Sequence, residues 1–170
     1  MDNTSSNNAG DTPRFGTKPP EPTELVDKAI RGFAEANDVD PQLLLNGHRF
    51  EWKGKGMWLR HFGDKDADAV VLMLDMGDYP DAEPEPFLRF ALEHNAFTPA
   101  GVHGYYALVP GSNTLAYCVR LDLSEEENGA AAIAFLITSI VGAEQYLQKV
   151  VGDFFNEEAQ QGSGIEKVFP

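Results

Sequence analysis

The chain has 170 residues, and 13 basic against 27 acidic side chains give it a formal net charge of -14. This length suits one domain, and the charge disfavours binding to nucleic-acid phosphates or anionic lipid. The only cysteine, Cys118, excludes an intrachain disulfide and a metal site built on several thiolates. Because the N-terminus lacks the basic start and apolar run of a signal peptide, we expect a soluble, cytoplasmic protein that does not insert into a membrane.

The N-terminal part of the chain changes character at Thr23. Residues 1–22 are rich in Asn, Ser, Gly and Pro, and we expect a disordered tail because such a segment buries little apolar surface. Thr23 is a typical helix N-cap, and apolar residues recur after it at helical spacing until about Asn37. Residues 41–46 are compatible with a further helical turn.

From His48 the apolar pattern changes to a period of two, which predicts strands. Three of them are joined by short polar links and should form an antiparallel meander. They are predicted at residues 49–53, 57–62 and 69–76, the last from a more continuous apolar run that is typical of a central strand.

A second helix is predicted to begin near Pro86, because proline is favoured in a first helical turn, and to end near Asn95. Two more strands are predicted at residues 102–109 and 114–123. Ser124 and the glutamate three residues later match a capping box, so the last helix should start there. Its apolar residues follow a nearly heptad spacing over about six turns.

These elements predict an α+β fold with the order α-β-β-β-α-β-β-α. The sheet should be a twisted, antiparallel sheet of five strands, accompanied by three helices. The domain is expected over residues 23–155, and residues 156–170 are expected to form a flexible C-terminal tail.

The sequence contains no pattern that predicts catalysis. His48, His61, His94 and His103 are scattered, without the spacing of a zinc site. The acidic residues 75–85 lack the ligand pattern of a calcium loop, and no glycine-rich loop joins a strand to a helix. We therefore expect no catalytic residue, no metal and no cofactor. The alternative is a small enzyme with a pocket that contains His61, His103 or the acidic loop, and nothing in the sequence favours it.

Apolar residues are more numerous than one face of a small sheet requires. Trp58 and Phe62 share one face of the second strand, while Met57 and Leu59 share the other. Two explanations stay open: both faces are covered within the chain, or one is covered by a second subunit or a bound polypeptide.

The element order, together with three stretches of sequence, resembles the class I chaperones of type III secretion, the Tir-chaperone-like family. Residues 72–76 (LMLDM) and 87–97 (FLRFALEHNAF) are similar to the family's central strand and to its short helix, often written Leu-Leu-x-x-Asn. Residues 104–121 fit the strand pair that follows. The resemblance spans residues 23–155. The long N-terminal tail and the two phenylalanines in the short helix depart from the family pattern.

The resemblance implies a homodimer that binds the N-terminal segment of a secreted effector in extended form and keeps it secretion-competent, without nucleotide. It places effector contacts on the first helix and the sheet, at Ile30, Phe33, Leu44, Phe50, Trp52 and Trp58. It places the dimer interface on the second helix and adjoining strand, at Phe87, Leu88, Phe90, Ala91, Leu92 and Tyr105. A regulatory or adaptor protein of the same fold, binding a folded partner, is the alternative.

Overall fold

The computed structural model describes residues 20–63, 68–78, 84–96 and 104–162. These residues form an α+β fold with a five-stranded antiparallel sheet, as predicted, and four helices instead of three. The additional helix is the short turn at residues 41–45. The helices are α1 (Glu24–Ala36), α2 (Pro41–Leu45), α3 (Pro84–Ala96) and α4 (Gly129–Gly162). The strands are β1 (Arg49–Trp52), β2 (Lys55–His61), β3 (Ala69–Asp78), β4 (Gly104–Leu108) and β5 (Thr114–Asp122).

The strands lie in the order β1-β2-β3-β5-β4, and every neighbouring pair is antiparallel. β1 and β2 are joined by Lys53 and Gly54, whose φ angles of 50° and 77° are both positive. Such a pair forms the tight hairpin turn that matches the natural twist of the two strands. β5 inserts between β3 and β4, so β4 becomes an edge strand and α3 packs beside it.

The first face of the sheet is covered by α1, α2 and α4. The Thr23 side chain caps α1 by accepting a hydrogen bond from the backbone N–H of Val26 at 3.3 Å, as the sequence predicted. Apolar side chains at helical spacing then meet alternate residues of the strands, and Phe33, Leu72 and Ile137 become fully buried. This layer forms the main hydrophobic core.

The second face of the sheet carries its own apolar cluster, which we call the second-face cluster. Its members are Trp58, Val71, Met73, Val109, Ala116 and Cys118, with Ala107 packed against them. All belong to strands except Val109, which directly follows β4. Within the described ranges, no buried or partly buried apolar side chain of a helix packs against this cluster.

The predicted start of the last helix at Ser124 is wrong. The Asp122 carboxylate instead accepts hydrogen bonds from the backbone N–H and the hydroxyl of Ser124, at 3.1 and 2.7 Å, and closes a short 3₁₀ turn. α4 begins at Gly129, and the Asn128 side chain accepts a hydrogen bond from the third helical N–H at 3.1 Å. A Cβ at Gly129 would lie 2.7 Å from the Cβ of Ala29, so a residue without a side chain is needed where α4 meets α1.

The structure describes part of the segments that were predicted to be tails. α4 continues to Gly162 and so extends past residue 155, whereas residues 1–19 and 163–170 lie outside the described residues. Pro20 lies against Gly63, where an added Cβ would be 2.7 Å from the Cβ of Pro20. The described chain therefore enters the fold at the end of β2.

Candidate protein-binding surfaces

Five of the six residues predicted to contact an effector lie in the interior of the fold. Ile30, Phe33, Leu44 and Phe50 belong to the core of the first face, and Trp58 belongs to the second-face cluster. None of them presents surface to a partner in this conformation. Their role in the described fold is packing, which produces the same helical and alternating spacing as a binding groove does.

The sixth residue, Trp52, is half-buried at the border of the first-face core. Its ring centroid lies 5.6 Å from that of Phe33, and its buried indole N–H has no hydrogen-bond partner among the described residues. Alternation along the hairpin places Trp52 on the first face and Trp58 on the second. The two tryptophans therefore do not form one shared surface.

The residues predicted to form a dimer interface divide into two groups. Phe90 and Ala91 are buried against the sheet and serve the core of the chain itself. Leu88, Leu92 and Tyr105 are exposed, and 70% of the Leu92 surface is open to solvent. Leu88 and Leu92 are four residues apart and therefore lie on one flank of α3. The side chain of Phe87 lies outside the described residues.

Asn95 occupies the free edge of the sheet. Its amide group donates to the carbonyl oxygen of Tyr106 at 3.1 Å and accepts from the N–H of the same residue at 2.6 Å. These two bonds satisfy backbone groups on the outer side of β4 that a neighbouring strand would otherwise bind. An edge strand with open backbone groups can pair with a strand of another chain. The edge is thus closed at its centre, and the Leu88–Leu92 flank of α3 lies next to it. In the sequence, this asparagine is marked only by the similarity of residues 87–97 to the Leu-Leu-x-x-Asn pattern.

Charged side chains border the second-face cluster. The Arg49 guanidinium pairs with Asp75 at 3.1 Å and lies 5.9 Å from the ring centroid of Trp58. The buried indole N–H of Trp58 has no hydrogen-bond partner among the described residues. Burial raises the pKa of the Cys118 thiol to about 12, so the thiolate needed for nucleophilic chemistry is scarce at neutral pH. The cluster is a packing surface and has no reactive group.

Of the residues considered for an enzyme, the structure describes His61 and the start of the acidic loop. His61 is buried, and its Nε2 lies 3.2 Å from the carbonyl oxygen of Leu45. This contact links β2 to the end of α2. No group of three His, Cys, Asp or Glu side chains that could hold a metal ion occurs among the described residues. His103 and most of the acidic loop after Asp78 lie outside them.

His61 should make stability depend on pH. Burial lowers its pKa below the ordinary value of 6.5 and the Arg60 charge adds to this, while the Leu45 hydrogen bond acts in the opposite direction. Below about pH 6.5 the unfolded state therefore binds more protons than the folded state. The free energy of unfolding decreases as the pH is lowered from 6.5 towards the pKa of His61 in the folded state. Between pH 6.5 and 5.5, urea unfolding should show a smaller loss of stability in His61→Gln than in the unmodified protein, by no more than about 1 kcal/mol. The exposed His48→Gln serves as the control, and an equal loss with and without His61 contradicts the prediction.

The outer face of α4 carries a stripe that sequence analysis did not single out. Phe135 is 75% exposed and Tyr146 is 55% exposed, and their spacing of eleven residues places them on one side of the helix. Between them, the hydroxyls of Thr138 and Ser139 donate to carbonyl oxygens one turn earlier, both at 2.9 Å. Gly129–Lys149 is the one described segment long and apolar enough to cross a membrane. Because its inner side packs in the core, it is also compatible with a soluble protein.

Neither a scan against protein-family models nor a search of curated proteins finds a match to this chain.

Proposed function

We propose that this protein is a homodimeric chaperone of the type III secretion kind. It binds the N-terminal segment of a secreted effector in extended form, in the bacterial cytoplasm and without nucleotide. The observation that supports the proposal is the apolar character of the second face, because antiparallel sheets in soluble proteins commonly leave the second face polar and solvated. The second-face cluster is itself buried, and beside it Tyr105, opposite Cys118, offers an apolar ring that is 43% exposed. An extended polypeptide on this face would bury apolar side chains, each contributing roughly 1.5 to 3 kcal/mol.

The dimer part of the proposal is supported by the flank of α3. Leu88 and Leu92 are exposed beside an edge strand that Asn95 closes to direct strand pairing. In a two-fold symmetric dimer each residue of this flank is buried twice, once in each copy. Burial of both copies of Leu92 then stabilises the dimer by about 3 kcal/mol or more, which corresponds to a factor of at least about one hundred in its dissociation constant.

Leu92→Asp should therefore convert the dimer into a monomer. Light scattering is expected to give twice the chain mass of 18.7 kDa for the unmodified protein and the single mass for the variant at micromolar concentration. Because Leu92 is largely exposed in one copy, the free energy of unfolding of the monomer should change by no more than about 0.5 kcal/mol. Phe135→Asp removes an equally exposed side chain from α4 and should leave the dimer intact. A monomeric unmodified protein, or a dimeric Leu92→Asp, contradicts the proposed interface.

The client surface is tested by photo-crosslinking in a complex with the candidate effector, the product of the adjacent open reading frame. A p-benzoylphenylalanine at position 105, whose tyrosine is exposed on the second face, should crosslink to the effector. The same group at position 135, on the outer side of α4, should not. A crosslink at position 135 and none at position 105 would contradict the proposed client surface. That result would favour an adaptor that binds a folded partner on the outer side of α4.

A further inference from the structure

Helix α2 is too short to be stable without its contacts to the rest of the fold. It has five residues, Pro41–Leu45, and an isolated helix of that length does not persist in water. Backbone N–H groups in and after α2 bond to acceptors within residues 40–44. The pairs are Gln42 with the Asp40 side chain, Asn46 with the Gln42 carbonyl, Gly47 with Leu44 and His48 with Leu43. These bonds shape the segment without attaching it to α1 or to the sheet.

Two leucines and a histidine attach α2 to the first face of the sheet. Leu44 and Leu45 are buried where α2 packs on α1, β1 and β2. The His61 Nε2 lies 3.2 Å from the carbonyl oxygen of Leu45, and because that oxygen can only accept, Nε2 carries the hydrogen of the neutral ring. Nδ1 is then an acceptor, and it is buried without a hydrogen-bond partner among the described residues.

The backbone on either side of α2 is suited to a hinge. Asp38 has a φ angle of 56° and Gly47 has one of 66°. The left-handed region is unfavourable for a residue with a Cβ, so the closed position holds strain at Asp38 that an open segment can release. α1 ends at Ala36 and β1 begins at Arg49, so a movement between the two hinges leaves both elements intact.

A second proton on His61 has no favourable place in the closed fold. The side chain is almost fully buried, and a proton on Nδ1 creates a charged donor without an acceptor among the described residues. Burial lowers the pKa of His61 below its ordinary value of 6.5 and the charge of Arg60 adds to this, while the Leu45 hydrogen bond acts in the opposite direction. Exposure to water would remove most of this penalty.

The described residues that face His61 from the neighbouring elements are uncharged. Leu45 faces it from α2, and Val70 is its partner on β3. α1 contributes the apolar side chains of Val26 and Ile30 to the same core. None of these side chains can accept a hydrogen bond from Nδ1 or balance a positive charge.

The carboxylates of the adjoining segments have other partners or lie farther away. Asp40 caps the N-terminus of α2, and Asp68 accepts a hydrogen bond from the N-cap residue of α1 at 2.8 Å. Glu51 of β1 and Glu144 of α4 lie at the hairpin end of β2, opposite to the end that carries His61. The charge of a protonated His61 is therefore satisfied best by water.

We propose that α2 is a pH-sensitive lid on the first face of the sheet, closed while His61 is neutral and opened when this residue takes up a proton. Opening lets the imidazolium hydrate. It also exposes Leu44 and the first-face side chains of β1 and β2 under α2, Phe50 and Leu59, all of which are buried in the closed fold. The lid acts in the free protein and does not depend on the proposed function.

Amide hydrogen exchange of the full-length protein, followed by NMR at two pH values and corrected for the intrinsic pH dependence of exchange, tests the lid. The N–H groups of Asn46, Gly47 and His48 should exchange through an opening at least about tenfold more populated than the unfolding that frees the central strand β3. The population of this opening should rise about threefold to tenfold from about pH 7.5 to 5.5, because the open state binds the proton with an ordinary pKa.

His61→Gln supplies the matched variant, since its amide can still donate to Leu45 but does not titrate. The α2 opening should lose its pH dependence in this variant and keep it in the exposed control His48→Gln. Circular dichroism verifies that both variants are folded. The same pH dependence with and without His61, or an opening of the α2 segment no more populated than that of β3, overturns the proposal.

A titration of the unmodified protein gives a second measurement that needs no variant. The ring resonances of His61 and the amide resonances of residues 46–48 should titrate with one shared midpoint, below pH 6.5. A midpoint for the α2 segment that differs from that of the His61 ring, or a segment that does not respond to pH, overturns the proposal.

Discussion

Replacing Phe33 by alanine should lower the free energy of unfolding by about 4 kcal/mol. The side chain is fully buried between α1 and the sheet, and its ring packs against Trp52. Removal of a large buried ring loses the transfer free energy of the side chain and leaves a cavity that its neighbours fill only in part. Urea unfolding followed by circular dichroism measures the difference.

This prediction separates a core role of Phe33 from the effector-contacting role that the resemblance implies. A residue that lines an open groove would change effector binding while leaving the stability of the free protein within about 0.5 kcal/mol. Phe135→Ala is the matched control, since Phe135 is exposed on α4 and its removal should cost little. If the two variants unfold at the same urea concentration, Phe33 is not part of the core.

The second large effect concerns an ion pair between the sheet and α4. Lys55 Nζ lies 2.6 Å from Oε1 of Glu144, and this carboxylate also accepts a hydrogen bond from the Gln148 amide at 2.7 Å. Glu144 is buried on the inner side of α4, in line with Ile140 and Leu147, whereas Lys55 is partly exposed. The two partners are therefore not equivalent when one of them is removed.

Lys55→Met should cost about 3 kcal/mol, because it leaves a buried carboxylate without its cation. Glu144→Leu should change stability by no more than about 1 kcal/mol, because the remaining lysine can hydrate and the leucine continues the apolar stripe. The double variant should recover most of the loss caused by Lys55→Met. Urea unfolding of all four proteins forms a double-mutant cycle. Equal losses for the two single variants would contradict this account.

Local patterns in the sequence predicted most of the fold. Alternation and short apolar runs located all five strands, and Thr23 marked the start of α1, because these signals depend on residues close together in the chain. The start of α4 was predicted at Ser124, five residues before the observed start at Gly129. Ser124 satisfies the spacing of a capping box, but Asp122 takes its N–H, and close contact with α1 selects Gly129 instead.

The candidate binding surfaces were harder to predict, since apolar spacing is the same for a packed core and for an open groove. Phe33 and Trp58 have that spacing, and only the arrangement of helices over the sheet reveals that both are buried. The position of β5 between β3 and β4 is likewise a long-range property. It creates the edge that Asn95 closes and leaves Leu92 exposed beside it.

The most direct test of the proposed function is native mass spectrometry of the full-length protein co-expressed with the candidate effector. We predict a complex that contains two copies of this chain, each of 18.7 kDa, and one copy of the effector. The same complex should be lost with Leu92→Asp and retained with Phe135→Asp. A single 18.7 kDa species that carries no effector would contradict the proposal that this protein is a dimeric chaperone.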